Sequence, residues 1–362
     1  PLYDADGKEI EYSVQETAVT GYLTAVNGYN IHNTEETTYI GGQKTWTGDE
    51  HCADLTRPDS VTIRVWKNSV EYKTITVSKD NGWYYSLSDL PKYENGQLIT
   101  YTVTEDAVPG YTGTVNGFNV TNTLQTTSIS GEKGWNDQED KYGLRPDSIS
   151  VTLKKTIGEN TTDVKTISVS DADDWKWTFD KLPTKELVNG NYVDVTYSVA
   201  EIAVPGYTGQ WNGNKLENTL KTVDINGTKE WVDGENAYST RPATITINLL
   251  QNSTKIDSYT TNADKDWAWS FEDLPEEDDK GVAYTYTVSE EPVKGYTTAY
   301  DQENYVVTNT LETTDLSGVK GWNDEDNKYG LRPDHVVIKI MNGTQEVTSV
   351  TAYAKDNWEW GI

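Results

Sequence analysis

The sequence predicts an all-β chain built from tandem β-sandwich domains arranged as an elongated rod. Three observations carry this. A set of motifs recurs about every 90 residues. Within each recurrence, short runs alternate apolar and polar residues with the period of a half-buried strand. Gly, Asn and Pro turn residues separate the runs. Composition agrees: 24 Tyr and 13 Trp stand against 3 Phe and 1 Met, a balance that favours strands over helices.

The repeats define the organisation. "YTVTEDAVPGYTGTVNGFNVTNTL" (101–124) returns as "YSVAEIAVPGYTGQWNGNKLENTL" (197–220) and "YTVSEEPVKGYTTAYDQENYVVTNTL" (286–311), and is preceded by "YSVQETAVTGYLTAVNGYNIHNT" (12–34). A second motif, "KTW", "KGW", "KEW" and again "KGW", starts at residues 44, 133, 229 and 320. Each copy runs into an Asp/Glu-rich loop and then "RPDSVTIRV", "RPDSISVTL", "RPATITINL" or "RPDHVVIKI". The expected boundaries are a half unit at 1–34, complete units at 35–124, 125–220 and 221–311, and a second half unit at 312–362. The middle unit is longer by residues around "KELVNGNYVD". Each unit reads as about seven short strands, a sandwich pattern. "NG" at 27–28, 116–117 and 212–213 marks one hairpin turn in each of three copies. The joints "NTEETT", "NTLQTT", "NTLKTV" and "NTLETT" lack Gly/Ser slack, so limited hinge motion is expected.

The alternation test exposes a conflict. Glu105 shares a strand face with Tyr101 and Val103, the face that should enter the core, where carboxylates are rare without partners. Glu16, Glu201 and Glu290 fall on the equivalent apolar faces. So do Asn33, Asn122, Asn218 and Asn309 in the last strand, and Lys44, Lys133, Lys229 and Lys320 in the first. Each complete unit is therefore expected to bury one Lys, one Glu and one Asn. Desolvation disfavours the ammonium and the carboxylate alike. A neutral amine is a nucleophile, and a neutral carboxylic acid can polarise an amide and move protons. The expected chemistry is attack of Lys on the Asn amide carbon, loss of ammonia and an isopeptide cross-link. A buried Lys–Glu ion pair beside a hydrogen-bonded Asn is the plainer alternative.

The spaced residues "KTW…RPDSVTIRV…GWYYSLSDLPKYENGQLITYTVTEDAVPGYTGTVNGFNVTNT" resemble the Cna protein B-type repeat domains, the stalk domains of Gram-positive surface adhesins. The resemblance covers essentially the whole chain. It implies a transthyretin/prealbumin-like (Ig-like) β-sandwich and a place in the stalk of a cell-wall-anchored bacterial surface protein. By motif position it implies the triads Lys44–Glu105–Asn122, Lys133–Glu201–Asn218 and Lys229–Glu290–Asn309, with the glutamates as proton shuttles. Glu16 and Asn33 belong to a leading unit without its Lys, and Lys320 to a trailing unit without its Glu and Asn. The implied partners lie beyond this sequence: host extracellular matrix or glycan through a tip domain, and the cell wall through an anchor. The chain is expected to be a piece of a longer protein, acting in single-turnover internal chemistry and not as a turnover enzyme. The two half units nearly complete one domain, which raises end-to-end complementation between chains, although a fragmentary reading frame is the simpler account.

Other readings are weaker. A net charge of −28 argues against nucleic acid or an anionic membrane as partner. No run of 18 apolar residues offers a membrane span. The single Cys52 rules out an intrachain disulfide. His32, His51 and His335 are isolated, so no metal or cofactor site is expected. The acidic loops invite a Ca²⁺ reading, but their spacing is not that of an EF-hand, and a solvated loop is simpler. The pairs in "WYY", "WKW", "WAW" and "WEW" suggest a sugar platform, but core or hairpin packing through i, i+2 alternation is simpler. A module that itself binds host matrix protein or glycan is the main rival to the stalk.

Overall fold

A computed structural model describes all 362 residues, Pro1–Ile362, as two compact parts, Pro1–Leu220 and Lys221–Ile362. Pro1–Leu220 opens with a hairpin of β1 (Tyr22–Asn27) and β2 (Asn30–Glu35). A sandwich follows, made of β3 (Thr37–Thr47), β4 (Ser60–Lys67), β5 (Val70–Ser78), β6 (Tyr84–Pro91), a small hairpin of β7 (Tyr93–Glu94) and β8 (Gln97–Leu98), β9 (Tyr101–Glu105), β10 (Tyr111–Asn116) and β11 (Asn119–Leu124). Leaving the small hairpin aside, seven strands form two sheets, in the orders β10-β11-β3-β6 and β5-β4-β9. β3 and β11, first and last, pair in parallel.

The two sheets bury one core. Ile40, Tyr85, Leu90 and Val120 from the larger sheet pack with Val61, Ile63, Val65, Val77 and Val103 from the smaller. Period-2 alternation explains this: buried and partly exposed residues alternate along β4 from Val61 to Val65. Turn chemistry fixes the registers. The β4–β5 loop is Asn68-Ser69, both with positive φ (48° and 68°), the pattern of a type I′ turn. Between β10 and β11 only Gly117 is left-handed (φ 60°), at the first loop position, where Gly serves a type II′ turn.

The same plan recurs. Strands Thr126–Asn136, Lys176–Pro183, Tyr207–Asn212 and Lys215–Leu220 form the larger sheet of a second sandwich, with Ser148–Ile157, Asn160–Ser170 and Thr196–Glu201 facing it. "KELVNGNYVD" forms a hairpin, Lys185–Val188 with Asn191–Asp194, and Tyr192 in its second strand donates its hydroxyl to the Thr56 carbonyl at 3.1 Å. Within Lys221–Ile362, a third sandwich is built from Thr222–Val232, Thr244–Gln251, Thr254–Asn262, Ala268–Pro275, Tyr286–Glu290, Tyr296–Asp301 and Val306–Leu311. Its larger sheet again pairs first and last strands in parallel. Residues beyond 316 form two separate two-stranded pairings.

Two expectations need correction. Residues 10–16, expected as a strand carrying Glu16, form none, because residues 1–34 offer no counterpart of β4 for such a strand to pair with. The pairs Trp83/Tyr85, Trp175/Trp177 and Trp267/Trp269 pack at the cores as expected, but the first ring of each arrives from a turn and not by strand alternation. Trp83, Trp175, Trp267 and Trp358 are left-handed (φ 59°, 56°, 59° and 61°) and follow a left-handed Gly82, Asp174, Asp266 or Asn357. That tight turn swings the first aromatic residue inward ahead of the strand, so Trp83 reaches Trp46 edge-on at 5.3 Å.

Candidate functional site

In each sandwich the parallel pairing of first and last strands sets the site. Lys44 lies opposite Val120, and Asn122 opposite Trp46. Lys133 lies opposite Leu216 and Asn218 opposite Trp135, while Lys229 lies opposite Val307 and Asn309 opposite Trp231. Lys and Asn are thus diagonal neighbours on one face of adjacent strands, within reach of a long side chain. The glutamates come from the facing sheet, Glu105 opposite Ile63, Glu201 opposite Val151 and Glu290 opposite Ile247.

Across the core the charges meet. Lys44 Nζ is 3.6 Å from Glu105 Oε1, and the pairs Lys133–Glu201 and Lys229–Glu290 are each at 3.3 Å. All three lysine side chains have no solvent exposure. Each ammonium also lies over the indole two residues on, at 3.8, 4.4 and 4.8 Å from Trp46, Trp135 and Trp231. Burial outweighs the glutamate's pull and pushes each lysine from 10.5 down to about 8. Burial likewise pushes Glu105 up, against the opposing effect of Lys44. Asn218 Nδ2 donates to Glu201 Oε1 at 3.3 Å. The amide of Asn309 is fully buried and neither its oxygen nor its nitrogen finds a hydrogen-bond partner, an expensive arrangement for an inert side chain. The arrangement holds an amine of lowered basicity, a carboxyl group and a carboxamide in one dry pocket.

The half units are incomplete. Thr24 Oγ1 lies 3.0 Å from Glu16 Oε2 and 2.8 Å from Asn33 Oδ1, so these two are brought together, with Asn33 exposed. Lys320 Nζ donates to the Gly321 carbonyl at 2.6 Å and lies 4.3 Å over Trp322, with no Glu or Asn of the expected kind beside it.

A second recurrent group escaped the sequence reading. Asp49, Asp137, Asp233 and Asp324 each accept two hydrogen bonds from the arginine eight residues on, Arg57, Arg145, Arg241 and Arg332. In the sandwiches a tyrosine hydroxyl, from Tyr111, Tyr207 or Tyr296, also donates to that aspartate. The arginine lies over the indole that the lysine also covers, at 5.4 to 5.9 Å. Burial pushes Asp137 up, but Arg145 and Tyr207 outweigh it and hold the carboxyl below its usual range. The solvated-loop expectation is therefore corrected: the first aspartate of each sandwich's loop is buried and paired with arginine. The fixed Asp-to-Arg spacing beside each "KxW" was the available signal. No group of three His, Cys, Asp or Glu side chains suited to a metal ion is formed, and no helix is long and apolar enough to cross a membrane.

Comparison with known proteins adds the following. The model of the Cna protein B-type domain matches residues 1–34, 40–123, 129–219, 225–310 and 316–362. A collagen adhesin of Staphylococcus aureus is 34% identical over 382 residues, covering 99% of this chain and 31% of that protein. The chain therefore spans about a third of the length of this curated relative. A crystal structure of two B repeat units of the S. aureus collagen binding protein is 31% identical, covering 90% of this chain and 88% of that one, with a TM-score of 0.30. A single B repeat unit of the same protein is 33% identical over 51% of this chain and 100% of that one, with a TM-score of 0.24.

Proposed function

Because the chain belongs to the Cna protein B-type domain family, we propose that it is a stalk segment of a bacterial surface adhesin, each complete domain closed by a self-made Lys–Asn isopeptide bond. The domains are those at 35–124, 125–220 and 221–311, with half domains at 1–34 and 312–362. The observation that carries the reading is the recurrence, three times, of a dry Lys–Glu pair at 3.3–3.6 Å diagonal to a buried Asn.

In this reading the neutral amines of Lys44, Lys133 and Lys229 attack Cγ of Asn122, Asn218 and Asn309. The Cγ–Nδ2 bond breaks as the new N–Cγ bond forms. Glu105, Glu201 and Glu290 relay one proton from the amine to the departing ammonia. The bond links first strand to last, so a pulling force crosses a covalent tie instead of a hydrogen-bonded ladder. The chain acts outside the cell, on the bacterial surface, while contact with host matrix or glycan and attachment to the cell wall belong to other segments of the protein.

Intact mass under denaturing conditions tests this. Each bond releases one ammonia, about 17 Da. Three bonds give a deficit of about 51 Da, reduced by one third in each of Glu105→Ala, Glu201→Ala and Glu290→Ala. An unmodified mass overturns the cross-link and leaves three buried polar networks.

A further inference from the structure

Among the differences between the three sites, one lies against the reacting groups themselves. The residue directly across the hairpin from the buried asparagine is Gly113 in the first site, Gly209 in the second and Thr298 in the third. The glycines leave no room: a Cβ on Gly113 would sit 3.0 Å from Asn122 Oδ1, and one on Gly209 2.8 Å from Asn218 Oδ1. In the third site the Thr298 hydroxyl donates to Glu290 Oε2 at 3.2 Å, while Glu290 Oε1 faces Lys229 Nζ at 3.3 Å. The carboxylate is thus divided, one oxygen anchored and the other turned to the amine. In the second site Glu201 Oε1 meets both Lys133 Nζ and Asn218 Nδ2 at 3.3 Å, and Oε2 lies 3.2 Å from the place a Gly209 side chain would take.

Two further observations fit the hydroxyl's role. The third site is the most closed, its glutamate side chain 0% exposed against 6% and 7% in the others. Around it, Tyr300 accepts from the Glu290 N–H at 3.0 Å, and the Gln302 amide pairs with both backbone groups of Val288 at 2.9 and 2.8 Å, pinning the strand that carries Glu290. The leading hairpin repeats the motif independently, since Thr24 lies opposite Asn33 and within hydrogen-bond distance of Glu16.

We propose that Thr298 is the positioning residue of the third site, anchoring Glu290 Oε2 so that Oε1 is held ready to take the proton from Lys229 and pass it to the ammonia leaving Asn309. This rests on the isopeptide reading above. The bond change is unaltered: Nζ–Cγ forms, Cγ–Nδ2 breaks, and one proton moves from amine to leaving group.

The test follows bond formation in newly made full-length chain. Samples of a translation pulse are quenched in denaturant at intervals, and the joined peptides 44–122, 133–218 and 229–309 are quantified by mass. The first two bonds serve as clocks within the same molecule. Thr298→Val, similar in shape but without the hydroxyl, is expected to slow the 229–309 bond about tenfold relative to both clocks, the scale of one hydrogen bond to a charged group. Thr298→Ser is expected to restore the wild-type ratio. A 229–309 bond that keeps pace in Thr298→Val overturns the proposal. Protease resistance of the third unit, read in the same samples, separates slow chemistry from failed folding. Where Thr298→Val stays sensitive, Thr298→Ala decides by the same comparison. Wild-type chain with no joined peptide in any unit overturns the isopeptide reading itself, whereas three normal bonds with an unaffected variant overturn only the role of Thr298.

Discussion

Lys44 and Asn122 face the same core from adjacent parallel strands, one diagonal step apart, because Lys44 stands opposite Val120 and Asn122 opposite Trp46. A bond between them encloses nearly the whole first sandwich. If it constrains the unfolded chain as a disulfide does, Asn122→Ala should destabilise that sandwich by about 4 kcal/mol. Denaturant unfolding of wild type and variant, with the site of opening mapped by proteolysis, checks this. Equal midpoints would count against a bond at this site.

Between about pH 8 and 10.5 the triad lysines should contribute a pH dependence of stability only where they remain free. In chain carrying Asn122→Ala, Asn218→Ala and Asn309→Ala, the amines titrate near pH 8 when folded and near 10.5 when unfolded. Between these values the unfolded state binds more protons, so stability rises with pH. Below about pH 8 both states are protonated and the cost of the buried charge is present in full. If the wild type carries the proposed cross-links it has no amine there to titrate and should lack this contribution. Unfolding midpoints across pH 7 to 10.5 compare the two, and parallel curves would contradict the expectation.

Arg145 closes over a buried Asp137 with two hydrogen bonds of 2.5 and 2.6 Å. Arg145→Ala leaves that carboxylate with the Tyr207 hydroxyl and the Asp140 N–H but no opposite charge, and should cost about 2–3 kcal/mol, below the loss for a fully buried pair because Arg145 is 28% exposed. Arg145→Lys keeps the charge but not the fork, so it should recover only part of the loss. Thermal or denaturant melts of the two variants measure the difference. Full recovery by lysine would show that charge alone matters here.

Gly131 lies beneath the Trp177 ring and beside the Asn214 carbonyl, which a Cβ would approach to 2.5 Å. Gly131→Ala should destabilise by about 1–3 kcal/mol through overpacking. Adding Trp177→Leu should not rescue it, because the backbone carbonyl still blocks the space. Rescue in a double-mutant cycle would place the clash on the ring alone.

Much was legible in the sequence for local reasons. Alternation of period 2 placed Lys44, Glu105 and Asn122 on inward faces, since side-chain direction in a strand follows from backbone geometry alone. Repetition multiplied that weak signal, and the "NG" positions located the hairpin turns because φ is a property of the residue and its neighbours. At Trp83 the core placement held, but two successive left-handed residues, a turn without an apolar pattern, deliver the ring where a strand was expected to. Alternation missed Asp137, since an acidic loop looks the same in sequence whether its carboxylate meets water or Arg145. Sequence by itself thus determined which side chains each unit turns inward. Only the tertiary structure decided that first and last strands run parallel, that the glutamate arrives from the opposite sheet, and that Thr298 meets Glu290 at the position Gly113 and Gly209 take in the other two sandwiches. The physical reason is that inward direction is set within a strand, whereas distance and partner are set by how strands far apart in the chain are registered and stacked.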